Sequence, residues 1–177
     1  FLAPEMDNWL KVNRGRNREW FALAHEINRL AQELWNGLPD VVQESSWKFT
    51  TRLLYLRGIN SFQAAVVLIN HGLTVDAGTI ARSAFEDLFC LAASKNDEAL
   101  VARLVGAQNV NRKKQARTVA QLPSDLGLEE VKAAKLKEFA DTIEGDGQQL
   151  NFAEIAEGGK LKPVYDAYYR TLSHDAA

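Results

Sequence analysis

The sequence predicts an all-α fold, a single-domain helical bundle. Three observations carry that prediction. Apolar residues recur at spacings of three and four along most of the chain. Gly, Pro, Asn and Asp interrupt the rhythm at short intervals. No stretch alternates apolar and polar residues as a half-buried strand does, and no internal repeat is apparent. At 177 residues and 46% hydrophobic content, the chain is long enough for one domain with a sizeable core.

Residues 1–40 read as an N-terminal helical segment and residues 41–177 as the core of the bundle. Pro4 suits the first turn of a short helix through Leu10. The run NRGRNR places three arginines in five residues around Gly15 and reads as an exposed connection. Trp20, Leu23, Ala24, Ile27, Leu30, Ala31 and Leu34 then form the apolar stripe of a firm helix, ended by Gly37, Pro39 and Asp40. A further helix runs from Val41 to Arg57, with Trp47 and Leu54 inward and Lys48 and Arg52 outward. Gly58 and Asn60 are expected to break it, with a continuous helix into the next segment as the alternative.

A central helix pair spans residues 61–95, and the remaining elements are expected to pack around it. Phe62 to Ile69 is apolar nearly all round, which assigns it to the middle of the molecule. Gly72 suits the left-handed residue that closes a helix, and Thr74 or Asp76 is placed to cap the next one. In that second helix Ala77, Ile80, Ala81, Ala84, Phe85, Leu88, Phe89, Leu91 and Ala92 fill one half of the wheel, with Arg82 and Glu86 at its rim. Asn96 or Asp97 caps a helix through Leu100, Leu104 and Ala107. Pro123 and Ser124 begin a loop, Leu128 to Ile143 forms another helix, and EGDGQQ is a polar turn. Gly158 and Gly159 are expected to be mobile. Pro163 opens a closing Tyr-rich helix, residues 163–177, on which Tyr165, Tyr168, Tyr169, Leu172 and Ala176 share an inward face.

Composition excludes several function classes. A formal net charge of −2 gives no global attraction to nucleic acid or membrane, so any nucleic-acid role needs a local basic patch. A lone cysteine, Cys90, excludes an internal disulfide framework and a Cys-rich zinc site, and agrees with a reducing, cytoplasmic home. It reads as a packing residue. No apolar run approaches the roughly 20 residues of a membrane helix, and the first residues lack the pattern of a signal peptide. The start at Phe1, without an initiator Met, predicts a piece of a longer protein. No HExxH, Glu-x-x-His pair, Walker loop or GxGxxG occurs, so no metal and no cofactor is expected.

The polar residues that could carry chemistry fall into three groups. On the closing helix Asp166, Arg170, Ser173 and His174 share the flank opposite the tyrosines. An arginine there can neutralise charge on a phosphodiester while a histidine moves protons. The plainer alternative is an i,i+4 ion pair, Asp166 with Arg170, on a solvated face. Arg82 and Glu86 can clamp a residue of the last helix or simply fix helix register as an ion pair. Arg112, Lys113, Lys114 and Arg117 belong to a stretch from Arg103 to Arg117 with five basic residues and no acid. That run can track RNA phosphates or form a solvated helix face. His25 reads as a surface residue. His71, beside Asn70 and Gly72, sits at a helix end.

Arg52 and Arg57, the stretch GLTVDAGTIARSAFED and the ending YYRTLSHDAA together resemble a bacterial, all-helical domain-of-unknown-function family numbered 5677. Its Arg-Ser-x-x-Glu signature corresponds to Arg82, Ser83 and Glu86. Its closing Tyr-rich signature corresponds to Tyr169, Leu172, Ser173 and His174. The terminal helix is also similar in outline to HEPN domains, helical bundles that often dimerise and in many cases are metal-independent ribonucleases of toxin or phage-defence systems. That likeness implies a metal-independent endoribonuclease or RNA-binding component, with Arg170 on the scissile phosphate and His174 transferring protons. Tyr169 and Ser173 would support them with Arg82 and Glu86. HEPN catalysis separates its Arg and His by four to six residues, whereas three lie between Arg170 and His174. Implied partners are RNA, a second copy of the chain, or a cognate antitoxin or defence protein. The alternative is a non-enzymatic module that binds a protein or small ligand, with a pocket lined by aromatics of the central pair and by Tyr168 or Tyr169.

Overall fold

The computed structural model describes residues 5–39, 46–95, 97–122, 129–143 and 150–174, without the side chains of Glu5, Ser46, Ser173 and His174. The expectations at Pro4, Asp40, residues 41–45, Asn96, Pro123, Ser124, the EGDGQQ turn and Ala176 lie outside the described residues. The all-α expectation holds, since no strand occurs among the described residues. Nor is any helix among them long and apolar enough to cross a membrane. The chain forms two compact units. One comprises Phe1–Asn96 with Phe152–Ala177, the other Asp97–Asn151.

In the first unit, α1 (Glu5–Arg16) and α2 (Arg18–Asn36) meet at Asn17. The NRGRNR run is therefore helical rather than a loop. Asn17 N–H donates to the Asn13 carbonyl at 3.0 Å and Phe21 N–H to the Asn17 carbonyl at 3.0 Å, so the ladder passes straight through. α3 (Ser46–Asn70) is likewise unbroken at Gly58 and Asn60. Gly58 faces the neighbouring helix without being crowded by it. A Cβ on it would stand 3.9 Å from the Cβ of Asp87, on the neighbouring helix α4 (Thr74–Ser94).

The turn between α3 and α4 behaves as predicted at Gly72, whose φ is +78°. The cap predicted at Thr74 or Asp76 does not form: Leu73 holds the N-cap position with no side-chain bond, and Thr74 is already helical. Instead α1 closes this end of the hairpin. Asn13 Nδ2 donates to the carbonyls of Ile69 (3.2 Å) and Asn70 (3.1 Å), and Arg14 Nε donates to Asn70 Oδ1 at 3.1 Å. The bond to Asn70 satisfies a carbonyl at the end of α3, while the Ile69 carbonyl also accepts from Gly72 N–H at 3.0 Å. The Trp9 indole lies 3.3 Å from where a Gly72 Cβ would sit.

α4 is buried on two sides. Toward α3 it presents Asp87 and Ser94, the latter's carbonyl accepting from Trp47 Nε1 at 3.0 Å. The Phe89 side faces the end of the chain, where α7 (Phe152–Gly158) leads into α8 (Lys162–Val164), a π-helical segment (Tyr165–Tyr169) and α9 (Arg170–His174). Phe89, fully buried, lies 5.9 Å from the Tyr165 ring and 5.7 Å from the Tyr169 ring. α3 is less enclosed than its all-round apolar sequence suggests: Val67 and Ile69 are each about half exposed.

The second unit pairs α5 (Glu98–Ala120) with α6 (Glu130–Thr142). Asp97 caps α5 by accepting from Leu100 N–H at 3.1 Å. Arg117 bonds Asp141 at 2.8 Å, and Lys113 Nζ donates to the Ile143 carbonyl at 3.2 Å. A cation at that end of α6 also suits its helix dipole.

Gly159 is packed, not loose, whereas Gly158 before it is exposed. A Cβ on Gly159 would come within 3.0 Å of both the Ala92 Cβ and the Ala93 backbone nitrogen. Neither can swing aside, so Gly159→Ala is expected to cost about 1–3 kcal/mol through overpacking. Urea unfolding should show a lower midpoint at unchanged slope.

Candidate functional site

The closing segment departs from a regular helix at its tyrosines. Arg170 N–H bonds the Tyr165 carbonyl, an i to i+5 bond that widens the turn and adds about one residue to it. Tyr165 and Tyr169 stack at 5.0 Å and both meet Phe89. Tyr168 is turned outward, 61% exposed, with its ring 6.4 Å from that of Phe85 and nearly parallel to it. The predicted shared inward face therefore does not include Tyr168.

Tyr169 is buried, yet its hydroxyl is not stranded. It donates to Glu86 Oε1 at 2.7 Å and accepts from Arg82 Nε at 3.3 Å. Arg82 Nε also lies 3.3 Å from Glu86 Oε1, and its guanidinium carbon stands 5.3 Å from the Tyr169 ring centre. Burial, followed by the bond to Glu86, holds the Tyr169 hydroxyl above its usual range. The bond to Tyr169 raises Arg82 in turn. The cluster is a neutral phenol bridged to an ion pair, and it positions the closing helix on α4.

Arg170 lies outside that cluster. It is 62% exposed, with Asp166 3.8 Å away, and Lys162 Nζ takes both oxygens of the same carboxylate at 2.7 Å. His174 follows one turn later in α9, and its side chain, like that of Ser173, is outside the described residues.

A second polar feature, not singled out in the sequence, is Asp87. Its carboxylate is almost fully buried and takes a two-pronged contact from Arg57, with Nε 2.8 Å from Oδ2 and Nη2 against Oδ1. Burial pushes the Asp87 carboxyl above its ordinary range, and the Arg57 fork offsets part of that. The bond to Asp87 raises Arg57. Beside them, burial and then the Asp87 charge push the Cys90 thiol up to about 12. At neutral pH Cys90 is therefore a thiol and a poor nucleophile.

Asp87 also reaches one wall of a cavity of about 490 Å³. Leu54, Gly58, Phe62, Val66 and Ile69 of α3 form one side, Ala81, Phe85, Leu88 and Leu91 of α4 the other, and Ile27 and Ala31 of α2 border it. Its aromatic walls come from Tyr55, Phe62 and Phe85, not from Tyr168 or Tyr169. From Leu54 to Ile69 it follows α3 for roughly 22 Å at 1.5 Å per residue, a long groove rather than a compact pit.

With the Arg82, Glu86 and Tyr169 cluster in place, the comparison with known families is decisive. The profile described as Family of unknown function (DUF5677) matches residues 49–176. The chain belongs to DUF5677. No curated protein and no solved structure matches it.

The DUF5677 span takes in most of α3 and the rings that meet Phe89, and it leaves α1 and α2 outside. Within this DUF5677 chain the fold brings Arg82, Glu86 and Tyr169 together and leaves Arg170 on the far flank. The basic run spreads around α5: Lys113 and Arg117 turn toward α6, while Arg112 and Lys114 are exposed. No spacing rule could have paired Arg57 with Asp87, which stand 30 residues apart on different helices.

Two outcomes follow from these contacts. Tyr169→Phe is expected to lower stability by about 1 kcal/mol, and a double-mutant cycle with Arg82→Ala should show coupling between the two sites. Arg57→Ala strands the Asp87 carboxylate and is expected to cost about 2 kcal/mol at neutral pH, much of it recovered by adding Asp87→Asn. Because Asp87 titrates upward when buried, the loss should be absent below about pH 4 and grow as pH rises through its folded pKa. Denaturant midpoints from pH 3.5 to 7.5 check this; a pH-independent loss contradicts it.

Proposed function

We propose that this DUF5677 protein is a non-enzymatic helical interaction module of the cytoplasm, and that the groove between α3 and α4 receives an amphipathic helix of a partner protein. The observation that carries the reading is the groove itself: apolar, four turns long and open, with Ile69 and Leu88 on it each nearly half exposed. Apolar surface of that extent is unfavourable in water unless something covers it. A helix laid lengthwise matches the run of the groove better than a drug-sized ligand does, and its anchors at three- and four-residue spacing would fill it. The free, buried Cys90 is in keeping with a reducing compartment.

RNA cleavage by Arg170 and His174, in a toxin or defence setting, is the other reading and rests on the HEPN likeness. Its geometric support is one unsheltered guanidinium with a carboxylate 3.8 Å away. Two of the four basic residues assigned to RNA, Lys113 and Arg117, are engaged with α6.

Titrating isotope-labelled protein with synthetic amphipathic helical peptides, and separately with single-stranded RNA, distinguishes the two. The expected result is saturable peptide binding with shifts at Phe62, Val66 and Leu88, lost in Leu88→Asp. No peptide binding, together with RNA cleavage that Arg170→Ala abolishes, would overturn the proposal.

A further inference from the structure

The helix bordering the groove has most of its apolar face turned aside from α3, with Ile27 at the edge of the groove. On α2 the residues packed toward α3 are Phe21, Ala24, Asn28, Ala31 and Trp35. Their polar contacts fix that orientation: Asn28 Oδ1 accepts from Gln63 Nε2 at 2.8 Å, and the Ala31 carbonyl accepts from Tyr55 at 3.0 Å. At 3.6 residues per turn, the stripe Trp20, Leu23, Ile27, Leu30, Leu34 is centred about 90° away from that face. All five of these large side chains are 45% to 73% exposed.

The stripe has a second property. Its large side chains are spaced three, four, three, four, the a/d spacing of a coiled coil, with Ala24 and Ala31 widening one flank. The e positions are Ala24 and Ala31, small enough for close approach. The g positions are Glu26 and Glu33, and both are taken up by Arg29, which contacts Glu26 and lies 2.6 Å from Glu33 Oε1. A basic partner helix would find those carboxylates already engaged. A copy of the same helix would meet small residues on one flank and a largely cancelled charge on the other.

We propose that the seam on α2 pairs with the α2 seam of a second copy of this chain, making the protein a homodimer. It rests on the reading of this unit as an interaction module and adds to the groove a second, self-pairing surface. Area supports it. The five seam side chains would take on the order of 500 Å² per copy out of water, about 1,000 Å² for a symmetric pair, which reaches the lower bound of a specific interface. Ile27 belongs to the seam and also lines the groove, so the paired helices would extend directly onto its apolar rim. The seam lies outside the residues matched by the DUF5677 profile, which places dimerisation on the N-terminal helices of this chain.

Sedimentation velocity on the full chain from about 1 to 100 µM tests the pairing. The expected species has twice the 19.7 kDa chain mass. In Leu23→Glu/Leu30→Glu it should become monomeric, with a dissociation constant raised at least about 100-fold. Both positions are half exposed within one chain, so helicity by circular dichroism should persist. Leu88→Asp, in the groove, should leave the dimer intact while abolishing peptide binding, which separates failure of this inference from failure of the broader one. A wild-type monomer across the range, or a dimer that survives the seam substitutions, overturns the proposal.

Discussion

The ring of Phe89 is the constraint on which the first unit depends. It is wholly out of water, and the rings around it belong to segments far apart in sequence: Phe85 on its own helix, Tyr165 and Tyr169 from the end of the chain. Aromatic edges and faces attract in tilted and offset arrangements, so such a cluster fixes orientation as well as burial. Seating both tyrosines on one phenylalanine brings a phenol oxygen into a dry place. The Glu86 carboxylate is then needed as acceptor and Arg82 as donor, because an unpaired hydroxyl there would be costly. One apolar contact thus dictates a polar cluster.

α4 shows how far the sequence could be read. Its apolar half-wheel correctly put Phe89 and Ala77 inside and Arg82 with Glu86 at the rim, since large side chains on a helical period leave a clear record. Its second buried side left none. Asp87, Cys90 and Ser94 are small or polar, and their enclosure depends on Arg57 and Trp47 of another helix. Glycine was ambiguous for a related reason. Gly58 reads as a break and Gly159 as mobile because glycine weakens helices, yet α3 runs through Gly58 and Gly159 sits in close approach to α4, outcomes that a single sequence does not separate.

α2 shows a different limit. Its stripe is the strongest apolar pattern in the chain, and such a pattern ordinarily marks the face toward a protein's own core. Here Gln63 and Tyr55 hold a different face against α3, so periodicity reported correctly which side of the helix wants cover but not what covers it. The tyrosines were misread by geometry instead. A wheel drawn at 3.6 residues per turn cannot place Tyr168 correctly across a turn that contains an extra residue.

That wider turn has a consequence for the chemistry of the terminus. Everything after Tyr169 is rotated by about 100° relative to a uniform helix, the angular share of one residue. Arg170 reaches its exposed position, 3.8 Å from Asp166, across that wider turn. The orientation of the terminal polar flank is thus encoded in chain length, and a one-codon deletion between Tyr165 and Tyr169 would re-aim it without altering any of its side chains.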